Sequence, residues 1–226
     1  MRGVLCVLLG LATLPIAGAQ AQDSNAYVVS YIEVAPAAKD QVATLMREFA
    51  DLSRKEAGVA RFEILQRIDR PHHFAILEVW SDQGAQAAHA AAAHTKAFRD
   101  KLVAIASAPY DERPHTGLAA APVSNAPAPQ GALYAVTHVD FIPPKKDEGI
   151  AALKDLVAPS RQDAGNVRFD VLQQTSRQNH LTVVEIWRDL TALDGHAVAA
   201  HTRRFRDQLL PMSGSLFDER LYRTVN

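Results

Sequence analysis

The sequence predicts an α+β fold: two ferredoxin-like βαββαβ repeats packed against each other as an intramolecular α+β barrel. Three observations predict it. Residues 27–119 align without a gap on residues 134–226, with 32 of the 93 positions identical, and a period this long seen only twice marks a duplicated domain, not a solenoid. Within each copy the apolar spacing follows the order strand, helix, strand, strand, helix, strand. A sheet with helices on one face leaves its other face bare, and a second copy can cover it.

The elements follow in order. Residues 1–21 read as a secretory signal: Arg2, an apolar run from Val4 to Ile16, then small residues at Ala17, Ala19 and Ala21, with cleavage expected after Ala21 and a periplasmic or secreted product that keeps no membrane anchor. Cys6, the only cysteine, lies inside it, so the mature chain is expected to lack disulfides, thiolate nucleophiles and cysteine-held metals. The first repeat takes residues 22–119. Tyr27–Val34 is a β-branched and aromatic run closed by Pro36, as a strand requires. Val42, Leu45, Phe49 and Leu52 give a helical stripe, and Gly58 is placed for a left-handed backbone turn after it. Arg61–Ile68 and His73–Trp80 form a hairpin about Asp69-Arg70-Pro71. A single second helix is expected from about Gln86 to Ile105, with Ala91, His94, Phe98 and Leu102 inward, and Tyr110–Arg113 begins a last strand. Residues 120–132, carrying Pro122, Pro127 and Pro129, read as a semi-extended linker. The second repeat, 133–226, repeats this plan, except that Pro159 replaces Leu52 and is expected to break or kink its first helix near Ala158.

With 24 Lys+Arg against 25 Asp+Glu and 48% apolar residues, the chain has material for a packed core and no electrostatic case for nucleic acid as partner. No phosphate loop, serine nucleophile elbow or zinc signature occurs. The densest internal match runs from Glu78-x-Trp80-x-Asp82 through His89, His94-Thr95 and Phe98-Arg99-Asp100, onto Glu185-x-Trp187-x-Asp189 through His196, His201-Thr202 and Phe205-Arg206-Asp207. Helical spacing turns His94 and His201 inward and sets His89 and His196 about 140° away. On that geometry the pair is a poor metal ligand set, since two ligands on one helix face stand three or four residues apart. Strand alternation puts Glu78 and Trp80 on one face with Phe74 and Ile76, and Glu185 and Trp187 with Val183.

The βαββαβ order together with Glu-x-Trp-x-Asp, Ala85 and His89-x4-His94 resembles the antibiotic biosynthesis monooxygenase domain family, over nearly all of both copies. The resemblance implies oxidation of a phenolic or quinol-type molecule by dioxygen, with no cofactor and no metal, in a pocket between sheet and helices. On that reading His94, His201, Glu78 and Glu185 are the candidate catalytic groups. Trp80, Trp187, Ser30, Thr137, Phe98, Phe205, Tyr31 and His138 are the candidate substrate contacts. The haem-degrading branch carries an Asn on the first strand where this chain has Ser30 and Thr137, and a Trp on the last helix where it has none, which disfavours haem chemistry. The same residues also suit a catalytically silent binding or structural protein, or an isomerase or lyase of a small carbonyl compound. In the structural alternative the histidines are hydrogen-bonded core residues and Glu78 pairs with Arg99. The assembly expected is the internal pseudo-dimer, open to further oligomerisation.

Overall fold

The structure is a computed structural model that describes residues 23–124 and 126–225; the proposed signal segment and its cleavage site lie outside them. The first repeat contains β1 (Ala26–Glu33), α1 (Lys39–Ser53), β2 (Val59–Arg67), β3 (His73–Trp80), α2 (Gln83–Ala91), α3 (Ala93–Val103) and β4 (Asp111–Ala119). The second contains β5 (Leu133–Asp140), α4 (Lys146–Ser160), β6 (Asn166–Gln174), β7 (His180–Trp187), α5 (Leu190–Ala197), α6 (Ala200–Leu209) and β8 (Asp218–Thr224). All eight strands form one closed barrel in the order β1-β3-β2-β8-β5-β7-β6-β4. Each repeat therefore keeps the ferredoxin-like order, its last strand pairing with its own first strand, β4 with β1 and β8 with β5, and the outer edge of that last strand joins the other repeat: β4 pairs with β6 from His115↔Gln174 to Ala119↔Val171, and β8 with β2 from Leu65↔Thr224 to Arg67↔Tyr222. Closure covers most of the sheet edge, although β8 pairs with only Leu65–Arg67 of β2.

Strand alternation divides the apolar residues into three layers. Tyr27, Val29, Leu77, Val79, Tyr134, Val136, Val184 and Tyr222 fill the barrel. Ile32, Phe62, Ile76, Trp80, Phe49 and Phe98 lie between sheet and helices in the first repeat, and Leu133, Phe169, Val183, Trp187 and Phe205 do so in the second. The barrel interior retains a cavity of only about 30 Å³, room for about one water.

Three local expectations change. The second helix is two helices in each repeat, because Ala92 (φ −64°, ψ 145°) and Ala199 (φ −63°, ψ 149°) are extended. Pro159 does not end its helix: α4 runs on to Ser160, as α1 runs to Ser53, since a proline in the last turn removes one hydrogen bond where the ladder is already ending. On α1 the inward residues are Val42, Met46, Phe49 and Ser53, and Leu52 is 48% exposed. The start of the linker is held on β6, where Asp170 accepts from the Ala121 amide at 2.8 Å and Arg168 donates to the Ala121 carbonyl at 3.2 Å.

His115 on β4 points into the barrel, its Nε2 3.0 Å from Thr182 Oγ1 on β7, and burial pushes its pKa down from 6.5 to about 4. The folded state thus prefers the neutral ring, while the unfolded chain takes up a proton below pH 6.5, so this contribution to stability is lost as pH falls through that window. Relative to His115→Gln, the wild type is expected to lose about 3 kcal/mol between pH 6.5 and 4. The buried Glu78 and Glu185 titrate in the opposite sense and cancel in the difference. Urea unfolding at a series of pH values checks this, and parallel profiles for the two proteins would refute it.

Candidate functional site

The Glu-x-Trp-x-Asp motif is three consecutive alternate positions with three different tasks. Asp82 and Asp189 cap α2 and α5, accepting from the Ala85 and Ala192 amides at 2.8 and 2.9 Å. Gly58 and Gly165 hold φ near +82° in the turn after the first helix of each repeat. A Cβ on either would lie 2.6 Å from the Cβ of Ala85 or Ala192, so glycine is what lets the capped helix start sit against that turn. The turn carries Glu56, or Asp163 in the second repeat.

Trp80 and Trp187 are fully buried. Their indole Nε1 groups donate to Glu78 Oε2 and Glu185 Oε2 at 2.9 and 2.8 Å, and their faces are covered by the His89 and His196 rings, with centroids 4.5 and 4.7 Å apart. Each carboxyl thus lies in the apolar layer between sheet and helices with a single indole donor. Burial raises Glu78 to about 7 and Glu185 to about 8, the indole bonds offsetting part of that. Arg99 is not the partner of Glu78; it pairs with Glu112 at 2.5 Å.

Ser30 and Thr137 face the same layer, and their hydroxyl oxygens are buried without a hydrogen-bond partner. Ser30 lies opposite Ile76 and Val28 opposite Glu78, one pairing step apart on the same face. In the first repeat the Tyr110 phenol joins them, raised by burial and by the Glu78 carboxyl and opposed in part by the Ser30 hydroxyl. Tyr110, Arg99, Leu102 and Ala106 line an open cleft of about 520 Å³. Tyr110 escaped the sequence reading of the site; its signal was an aromatic next to the strand that closes the barrel. The second repeat has Phe217 there, 44% exposed. Phe98 and Phe205 are buried in the same layers. Tyr31 and His138 are elsewhere: they meet each other inside the barrel, phenol to Nε2 at 2.6 Å, with Arg113 and Arg220 over the Tyr31 ring.

The histidines reverse the expected geometry. His89 and His196 point inward at 3% and 5% exposure, and His94 and His201 lie at the rim with side chains 22% and 23% exposed. Counting 100° per residue fails because the backbone changes direction at Ala92 and Ala199. The same break overturns the expectation that no metal-ligand set exists. His89 Nδ1 and His94 Nε2 come to 2.6 and 2.9 Å from Glu56 Oε1, and His196 Nδ1 and His201 Nε2 to 2.7 and 2.9 Å from Asp163 Oδ2. The two carboxylates were not singled out in the sequence. The available signal was the repeat itself, in which Glu56 aligns with Asp163.

The sequence profile described as antibiotic biosynthesis monooxygenase matches residues 26–101 and 132–208. Over 82 residues, 36% of this chain and 86% of the relative, the chain is 29% identical to the "Putative monooxygenase YcnE" of Bacillus subtilis. A solved "Putative monooxygenase" of Fusobacterium nucleatum superimposes with a TM-score of 0.80 at 15% identity, covering 90% of this chain and 93% of that one. A solved "anthrone oxidase-like protein" superimposes with a TM-score of 0.70 at 15% identity, covering 90% and 92%. At such identities the solved structures speak for the fold alone, and it is the profile, matched once in each repeat, that carries the assignment: the chain belongs to the antibiotic biosynthesis monooxygenase family and holds its domain twice.

Proposed function

We propose that the protein is a cofactor-independent monooxygenase of a phenolic or quinol-type small molecule, acting between sheet and helices with Glu78 and Glu185 as proton acceptors. The observation that carries this reading is a carboxyl set in an apolar layer near a buried hydroxyl, Glu78 with Ser30 and Glu185 with Thr137. In the first repeat Tyr110, which interacts with both Glu78 and Ser30, also lines an open cleft; the nearly filled barrel interior offers no comparable room.

The chemistry asks for little more. A carboxylate removes a phenolic proton and leaves an electron-rich phenolate that can reduce dioxygen. Hydroxyl and indole donors then stabilise the resulting anion. For a hydroquinone the balance is quinol plus dioxygen to hydroxyquinone plus water: one oxygen atom enters the ring, the other leaves as water, and the substrate supplies all four electrons. The family assignment supports oxygenation as the class of reaction. The test is oxygen consumption by the purified chain against a panel of hydroquinones and polyphenols, with product identified by mass. Turnover of at least one member to its hydroxylated quinone is expected. Inactivity across the panel would favour the silent binding protein, and conversion without oxygen uptake the isomerase.

A further inference from the structure

We propose that each repeat binds one redox-silent divalent transition-metal ion of the zinc class, through Glu56, His89 and His94 in the first and Asp163, His196 and His201 in the second. The site goes beyond the oxygenase reading and does not depend on it. Its basis is convergence. In each repeat one carboxylate oxygen is approached by two ring nitrogens from two different helices, and the three possible ligand atoms lie within 4.8 Å of one another. Two imidazoles and one carboxylate are the donor set that borderline divalent ions prefer over magnesium or calcium, and three protein ligands leave a fourth position for water.

Three further observations separate a metal site from a plain tether between the turn and the helices. In the first repeat His94 Nε2 is buried and, although 2.9 Å from Glu56 Oε1, makes no aligned hydrogen bond, whereas its counterpart His201 Nε2 is hydrogen-bonded to Asp163 Oδ2 at 2.9 Å. The remaining nitrogen of the inner histidine faces a buried carboxyl, His89 Nε2 to Glu78 Oε2 at 3.7 Å and His196 Nε2 to Glu185 Oε2 at 3.9 Å, and the ring is fixed by stacking on a tryptophan. These separations are longer than a hydrogen bond, so the stacking on tryptophan is what fixes the ring, with the carboxyl placed to favour a cation nearby. Finally, the repeats have diverged at 61 of the 93 aligned positions, and at this one Glu56 has become Asp163, shorter by one methylene. The carboxylate oxygen nonetheless stays at 2.7 and 2.9 Å from the two rings, against 2.6 and 2.9 Å in the first repeat. The outer histidine and the acid are each about one-fifth exposed, which gives an ion a path from solvent.

The test uses the full chain, stripped with a chelator and titrated with zinc by calorimetry and with cobalt by visible absorption. Two ions per chain and the absorption of low-symmetry, nitrogen-ligated cobalt are expected. Glu56→Gln and Asp163→Asn should each remove one ion, and the double variant both, with circular dichroism confirming the fold. Should a carboxamide variant fail to fold, His94→Ala and His201→Ala at the rim test the same stoichiometry. Absence of micromolar binding to the wild type would overturn the proposal, as would two ions retained by the variants.

Discussion

Trp187→Ala is expected to destabilise the protein by about 3–5 kcal/mol, the range for deleting a large buried aromatic from a packed core. The indole has no exposed surface, closes the layer formed by Leu133, Phe169, Val183 and Phe205, and is covered on one face by His196. Its loss also strips Glu185 of its one donor, leaving a buried carboxyl unpaired. Trp187→Phe, which keeps most of the ring and drops the N–H, should cost about 1–2 kcal/mol. Urea unfolding at pH 7 separates the two contributions. A cost below about 1 kcal/mol for the alanine variant would mean that the tryptophan is not the packing anchor its burial implies.

The second large effect falls on turnover. Glu78→Gln combined with Glu185→Gln should lower kcat for the best substrate of the panel by about 10²–10⁴-fold, the usual worth of a positioned general base. The amide keeps the shape and can still accept the indole hydrogen bond, so the loss should not come from unfolding. The sign of the stability change is a control. Burial raises the folded-state pKa of both carboxyls, to about 7 and about 8 against an ordinary 4.5, so folding is penalised as pH rises above 4.5 and the penalty is fully developed only above the folded values. Amides escape it, and the double variant should be at least as stable as the wild type at pH 8. Between the single variants, Glu78→Gln should cost more activity, because only the first repeat has a tyrosine, Tyr110, that interacts with the carboxyl and lines an open cleft. Equal losses would place working sites in both repeats; unchanged turnover in the double variant would remove both carboxylates from the chemistry.

Much of the fold was legible because duplication let each element be read twice and because strand alternation is strict. Glu78 and Trp80 share the face assigned to them, with Phe74 and Ile76. The bridging of the last strands to the other repeat was not legible, since Asp-Glu-Arg followed by Pro114 in the first copy carries no apolar alternation to say which second neighbour it joins. The break at Ala92 was invisible for a different reason. Alanine is the best helix former, and Ala90 to Ala93 gives no cap or breaker, so the extended residue comes from tertiary packing. That one backbone change moves His89 inward, turns His94 to the rim, and lets both rings reach Glu56.

The central claim, that a substrate bound between sheet and helices is oxygenated with its own electrons, is tested most directly by running the reaction in isotope-labelled dioxygen and weighing the product. One labelled oxygen atom in each hydroxyquinone and the other in water is the expected result, in the chelator-treated chain free of flavin and haem. An unlabelled quinone accompanied by hydrogen peroxide would show simple oxidation without oxygen insertion, and would contradict the account.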